Sequence, residues 1–194
     1  MYRPMFAVTF AFLIAIPGAA AQSQKSESDQ DKAFDVRSTV GDLHLGSDAN
    51  ARKIGLPLYP GARLKADDQN QNQANLSIFT EAFGFKLVIA NYDSDDAPGK
   101  IIDFYRDKLK KYGKVLECHT QKHGGDVDVH NNDDNDSKGS KQLKCEGDNS
   151  GPVTELKVGT EDNQHAVSVE PNDSHSGSTF ALVYVHTRGK QGDI

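Results

Sequence analysis

The constraint that bears hardest on the fold is that only one long stretch, 93–113, is patterned as a helix, while the rest of the chain from Phe34 onward comes in short runs broken by Gly, Asn, Asp and Pro. Ile101, Tyr105, Leu109 and Tyr112 recur at spacings of four, four and three, with Ile102 and Phe104 beside them. Asp103, Arg106, Asp107, Lys110 and Lys111 take the opposite side. This spacing predicts an amphipathic helix over about 95–112 whose apolar face lies on something larger. Asp95 or Asp96 can cap its first turn, Pro98 needs no donor there, and Gly113 can take the left-handed conformation that ends a helix. Asp93, Asp95 and Asp96 fall at the positive end of the helix dipole, and Lys108, Lys110, Lys111 and Lys114 near its negative end. The dipole therefore accounts for the lysine cluster without a nucleic-acid partner.

The short runs are strand-like. Val36, Val40, Leu43 and Leu45 suggest one strand within 34–45, and 47–54 can form one or two helical turns capped by Ser47 or Asp48. Two prolines within 55–63 make that segment a rigid connector, and Leu56, Leu58 and Tyr59 are its residues for burial. Further strands are read at 74–80, 83–92, 114–119, 142–146, 154–159, 166–169 and 179–187. In the second of these, Phe85, Leu87 and Ile89 point one way and Val88 and Ala90 the other, which places the strand inside the sheet. In the last, Phe180, Leu182 and Tyr184 oppose Ala181, Val183 and Val185, the pattern of a central strand. The links between the late strands are too short for crossover helices, so the sheet is mainly antiparallel. The fold class is α+β, one such sheet with one principal helix, in a single domain over 36–190.

Ahead of the domain, Arg3, an apolar run over 6–16, Pro17-Gly18 and Ala19-Ala20-Ala21 are the three regions of a secretory signal peptide, with cleavage expected after Ala21. An apolar run of about eleven residues is too short to span a bilayer, which takes ~20, so no stable membrane insertion is expected after cleavage. The expected destination is the periplasm or the medium. Residues 22–35 hold little to bury and are expected to form a disordered tether. A net charge of −6 disfavours nucleic acid and anionic membranes as partners.

Leu56-Pro57-Leu58-Tyr59-Pro60-Gly61-Ala62, followed by paired strands and by Phe104-Tyr105-Arg106-Asp107-Lys108-Leu109, resembles a pattern of small exported bacterial proteins of unknown function. The resemblance covers roughly 55–116 and implies an α+β domain. It implies no activity and assigns no site residues.

Cys118 and Cys145 are the only cysteines, and export would put them where disulfides persist. A bridge would close an acidic loop over 120–140 and contribute ~3.5 kcal/mol on a chain-entropy estimate. Within that loop Asp126, Asp128, Asp134 and Asp136 supply hard oxygen ligands, and Asp134-x-Asp136 begins a calcium-loop pattern. Lys138 and Cys145 stand where that pattern wants an oxygen ligand, so a solvated loop tip is the simpler reading. His119, His123 and His130 lack a geometry that would gather them on zinc. His44, His165, His175 and His186 read as ordinary half-exposed residues.

Gly147-Asp148-Asn149-Ser150-Gly151-Pro152 looks like the nucleophile segment of trypsin-like serine proteases, but Asn149 stands in the nucleophile's place and Ser150 is displaced by one. A turn is the better reading. Glu81, Glu117, Glu155, Glu161 and Glu170 carry no spacing that pairs two of them across a cleft, and they read as surface acids. With no catalytic constellation evident, the sequence favours a non-catalytic exported domain that needs no cofactor. It would bind a protein, a small ligand or an envelope component through a sheet face or the disulfide-closed loop. A calcium-supported module and a hydrolase with an unrecognised site are the alternatives.

Overall fold

In the computed structural model, which describes residues 33–39, 41–65, 72–121, 142–145, 147–172 and 176–189, nine strands form one sheet in which every paired neighbour is antiparallel. The elements run β1 Phe34–Ser38, β2 Gly41–Gly46, α1 Ala51–Ile54, β3 Arg63–Leu64, β4 Gln73–Phe79, β5 Gly84–Ser94 and α2 Pro98–Leu109. A 3₁₀ turn, Lys110–Tyr112, extends α2, and β6 Leu116–Thr120, β7 Val153–Thr160, β8 Asn163–Pro171 and β9 Ser178–Arg188 follow. Strand order is β1-β2-β4-β5-β9-β8-β7-β6, with β3 beside the C-terminal end of β5. The α+β reading and the antiparallel sheet hold, with strand outweighing helix.

The helix lies over β7 and β8, and α1 over β5 and β9. Ile101, Tyr105 and Leu109 are fully buried against Val88, Leu156, Val167, Phe180 and Leu182, the pairing that their helical period requires. Phe180 is the hub of the aromatic packing, with Tyr92 stacked at 5.5 Å, Tyr105 at 5.7 Å and Tyr59 at 6.4 Å between centroids. The two-sided pattern of β9 also appears as expected, because Ala181, Val183 and Val185 pack on the other face with Phe85, Leu87 and Ile89.

Several details depart from the sequence expectations. The 34–45 run is a hairpin of two strands, and β1 takes in Phe34 and Asp35, which the sequence places in the tether. In α1, Asn50 caps Lys53 through a 3.1 Å N–H bond, because the Asp48 carboxylate is engaged by Lys53 Nζ and Asn75. Neither Asp95 nor Asp96 caps α2: its cap position is Ala97, with Pro98 in the first turn. Asp95 pairs with Arg63 at 2.7 Å, Asp96 accepts from Lys100 at 2.6 Å and from the Tyr59 hydroxyl at 2.9 Å, and Asp93 belongs to β5. Gly113 ends the 3₁₀ turn at φ 141°, a region glycine tolerates but outside the left-handed helical well. Tyr112 leaves the buried face and Leu58 is 45% exposed, while Leu56 and Tyr59 pack as expected. Of the strand read at 142–146, the described part makes only a bridge from Gln142 to Thr160, before the chain turns to bond Cys145 to Cys118.

Candidate functional site

Strand alternation sorts the sheet's side chains into two faces. The face under the helix carries Val88, Ala90, Tyr92, Leu156, Val167, Phe180 and Leu182, and it is filled. On the other face the register lines up Phe34 with Leu45 and Leu76, and Val36 with Leu43 and Ile78, and the rows continue into Leu87 and Phe85. These residues are less covered as the sheet runs toward β1, reaching 42% exposure at Leu45, 40% at Val36 and 57% at Phe34. A shallow hollow of about 240 Å³ lies among Val36, Leu43, Ile78 and Phe79, rimmed by Ser38, Asp42 and Thr80. Phe34, Val36 and Leu45 thus form a contiguous exposed apolar surface, the candidate for a contact site.

On the helix-side face of the same strands runs a polar row, in which Asp35, His44, Ser77, Lys86 and His186 are successive register partners from β1 to β9. His44 Nδ1 lies 2.7 Å from Asp35 Oδ1, and its Nε2 lies 3.2 Å from Asn75 Nδ2. Because the same Asn75 amide nitrogen donates to Asp48 Oδ1 at 2.9 Å, it is a donor to both groups. Nε2 is then the acceptor, and the imidazole N–H is on Nδ1, directed at Asp35. An Asp–His pair beside a serine has the composition of a hydrolytic triad, but the basic nitrogen is occupied by Asn75. No hydrogen bond joins His44 to Ser77 among the described residues. The row is a structural network that ties β1, β2 and β4 to α1.

The Lys53 ammonium, hydrogen-bonded to Asp48 and aided by Asn75, outweighs the cost of burial and holds the Asp48 carboxyl down to about 2, against an ordinary 3.8. A carboxyl depressed in the folded state stabilises above its unfolded value and loses that contribution as pH falls through the folded value. Discounted for the side chain's 35% exposure, the stake is about 1 kcal/mol. Asp48→Asn should therefore lie about 1 kcal/mol below wild type in urea unfolding at pH 6, with the gap closing as pH drops from 4 toward 2.

At the end of α2, Arg106, Lys110, Gly113, Lys114, Val115 and Glu117 surround a second hollow of about 340 Å³. Its charges are largely engaged within the fold: Arg106 pairs with Glu117 at 2.7 Å and also with Asp103, and Lys110 lies 3.7 Å from Asp107. It does not form a free cationic site.

The remaining sequence candidates fall as follows. Cys118 and Cys145 are bonded, with Cα atoms 5.4 Å apart, and such a bond is consistent with an oxidising, extracytoplasmic location. Asp126, Asp128, Asp134 and Asp136 lie outside the described residues, as do His123, His130 and His175. Among the described residues no group of three His, Cys, Asp or Glu is placed to hold a metal ion. The 147–152 segment is a turn, with Asn149 at φ 51° accepting from the His119 N–H and Ser150 donating to Asp148. His165 is buried rather than half-exposed, and it is stacked at 3.9 Å on Tyr112. Desolvation there lowers its pKa from the ordinary 6.5. Glu155 is no surface acid: it is buried beside Lys157.

No family model, curated protein or solved structure matches the chain. The reading of the site therefore rests on the chain's own geometry, in which the apolar face at β1, β2 and β4 is the most distinctive surface. Sequence reasoning missed it, although the alternation Phe34-Asp35-Val36-Arg37 against Asp42-Leu43-His44-Leu45 was there to be read as a hairpin with one apolar face.

Proposed function

We propose that this protein is an exported, non-catalytic binding domain, acting in a periplasm or in the medium, that meets its partner through the uncovered apolar face of β1, β2 and β4. The observation that carries this reading is the exposure of Phe34, Val36 and Leu45 side by side on a face that is half-buried at Leu76, Ile78, Phe85 and Leu87 and buried only from β9 onward. Binding energy at such a surface comes from removing apolar side chains from water, at about 25 cal/mol per Å². The polar rim of Ser38, Asp42 and Thr80 would orient the partner. Export is supported by the three-part leader and by the Cys118–Cys145 bond. A binding role is favoured over a hydrolytic one because the His44–Asp35 pair has its acceptor nitrogen engaged by Asn75.

A photoreactive phenylalanine analogue placed at Leu45, and as a control at Lys110 on the far side of the helix, tests the reading. Irradiation of exporting cells should give covalent adducts of defined mass from the Leu45 position and none from Lys110. Equal labelling at both positions, or none at Leu45, would rule the proposed surface out.

A further inference from the structure

β1 closes one edge of the sheet, and all five of its residues are exposed. The hairpin closes on the pair Ser38 and Gly41, so alternate residues direct their backbone groups to opposite sides of the strand. Those of Phe34, Val36 and Ser38 point toward β2, and those of Asp35 and Arg37 point outward, where the described residues provide no strand partner. An edge of that kind is a template for another strand. The opposite edge is different, because β6 is bonded through Cys118 to Cys145.

Which strand fits is written in the order of charges. Asp35 and Arg37 flank Val36 symmetrically, so an antiparallel copy of the same strand sets each acid against a base. We propose that β1 pairs with β1 of a second copy, antiparallel about a two-fold axis at Val36, joining two sheets into one. The inference rests on the reading of this half of the sheet as the binding surface, and it names the occupant of its edge.

In that register Asp35 and Arg37 of one copy exchange backbone N–H and C=O bonds with Arg37 and Asp35 of the other, giving four hydrogen bonds and two ion pairs. The ion pairs lie on the helix-side face, in line with the His44 row. On the other face the Val36 rows of the two copies join without a break, and each Phe34 lies across from Ser38 of the other copy. The contact is isologous, so it closes at two copies and builds no filament. A five-residue edge with two apolar anchors is at the small end of specific interfaces, so the dimer should dissociate at tens of micromolar.

Sedimentation of the full mature chain up to about 200 µM is the first measurement, with dimer expected at the upper end. Asp35→Lys and Arg37→Glu each set like charges against each other twice, and each should weaken self-association at least about tenfold. In a mixture of the two variants, the introduced lysine of one chain faces the introduced glutamate of the other, and the retained Arg37 faces the retained Asp35. The mixture should therefore recover dimer that neither variant forms alone. A Val36→Cys variant reports register without touching the charges: position 36 meets itself at the axis and should crosslink under mild oxidation, while Thr39→Cys should not. A wild type that stays monomeric, a mixture no more dimeric than its components, or equal crosslinking at the two positions overturns the proposal. The Leu45 adducts expected from the binding reading would be untouched by that failure.

Discussion

Replacing Lys157 by methionine is expected to destabilise the domain by about 3–5 kcal/mol, and adding Glu155→Leu to the same chain is expected to recover most of that loss. The two residues sit two apart on β7, so both point to the face away from the helix. Lys157 Nζ lies 3.0 Å from Glu155 Oε2, with side chains 6% and 4% exposed. Their register neighbours are Leu116 and Cys118 on β6 and Ala166 and Ser168 on β8, so little around them replaces water. Two opposite charges in such a place offset one another's desolvation, whereas removing one leaves the other buried and unpaired. Removing both exchanges an ion pair for apolar contact and leaves no orphan. Urea unfolding of the two single variants and the double variant separates these cases. A single variant costing under about 1 kcal/mol would mean that the pair is solvated.

This pair also shows where the sequence stops being legible. Alternation along a strand tells which residues share a face, and it correctly divided Phe180 and Leu182 from Ala181 and Val183. It does not tell how deeply a face is covered, so Glu155 reads as a surface acid although its strand lies inside the sheet between β6 and β8. The helix was legible because Ile101, Tyr105 and Leu109 repeat with its period, and all three are fully buried. Pro98 at its start and Gly113 at its stop were legible too, but the cap was not, because capping depends on which acids have better partners: Asp96 has Tyr59 and Lys100, and Asp95 has Arg63. Tyr112 follows the same period on paper, but the last turn tightens to 3₁₀ and carries the ring onto His165. The open apolar face was hidden by reading 34–45 as one strand. Once the chain turns back between Ser38 and Gly41, Phe34, Val36, Leu43 and Leu45 fall together.

Tyr105→Ala is expected to cost about 3–5 kcal/mol, and Tyr105→Phe about 1–3 kcal/mol, for two separable reasons. The ring is fully buried, packed against Phe180 and edge-on to Phe104 at 5.0 Å, so truncation leaves a cavity where helix and sheet meet. The hydroxyl does a second job. It accepts the Tyr59 N–H at 3.1 Å and donates to the Pro57 carbonyl at 3.2 Å, which fastens the proline-rich connector to the helix. Phenylalanine keeps the packing but leaves that buried N–H without a partner, a loss larger than the mean value of one hydrogen bond. Burial pushes the Tyr105 phenol well above its ordinary value of 10.0. Its contribution is therefore complete below pH 10 and declines as pH rises further, because the unfolded chain ionises first. Thermal melts of wild type and Tyr105→Phe should consequently converge above pH 10, where the wild type loses stability faster. Parallel curves through that range would show that the hydroxyl is in contact with water, and the connector would then have to be held by Leu56 and Tyr59 packing alone.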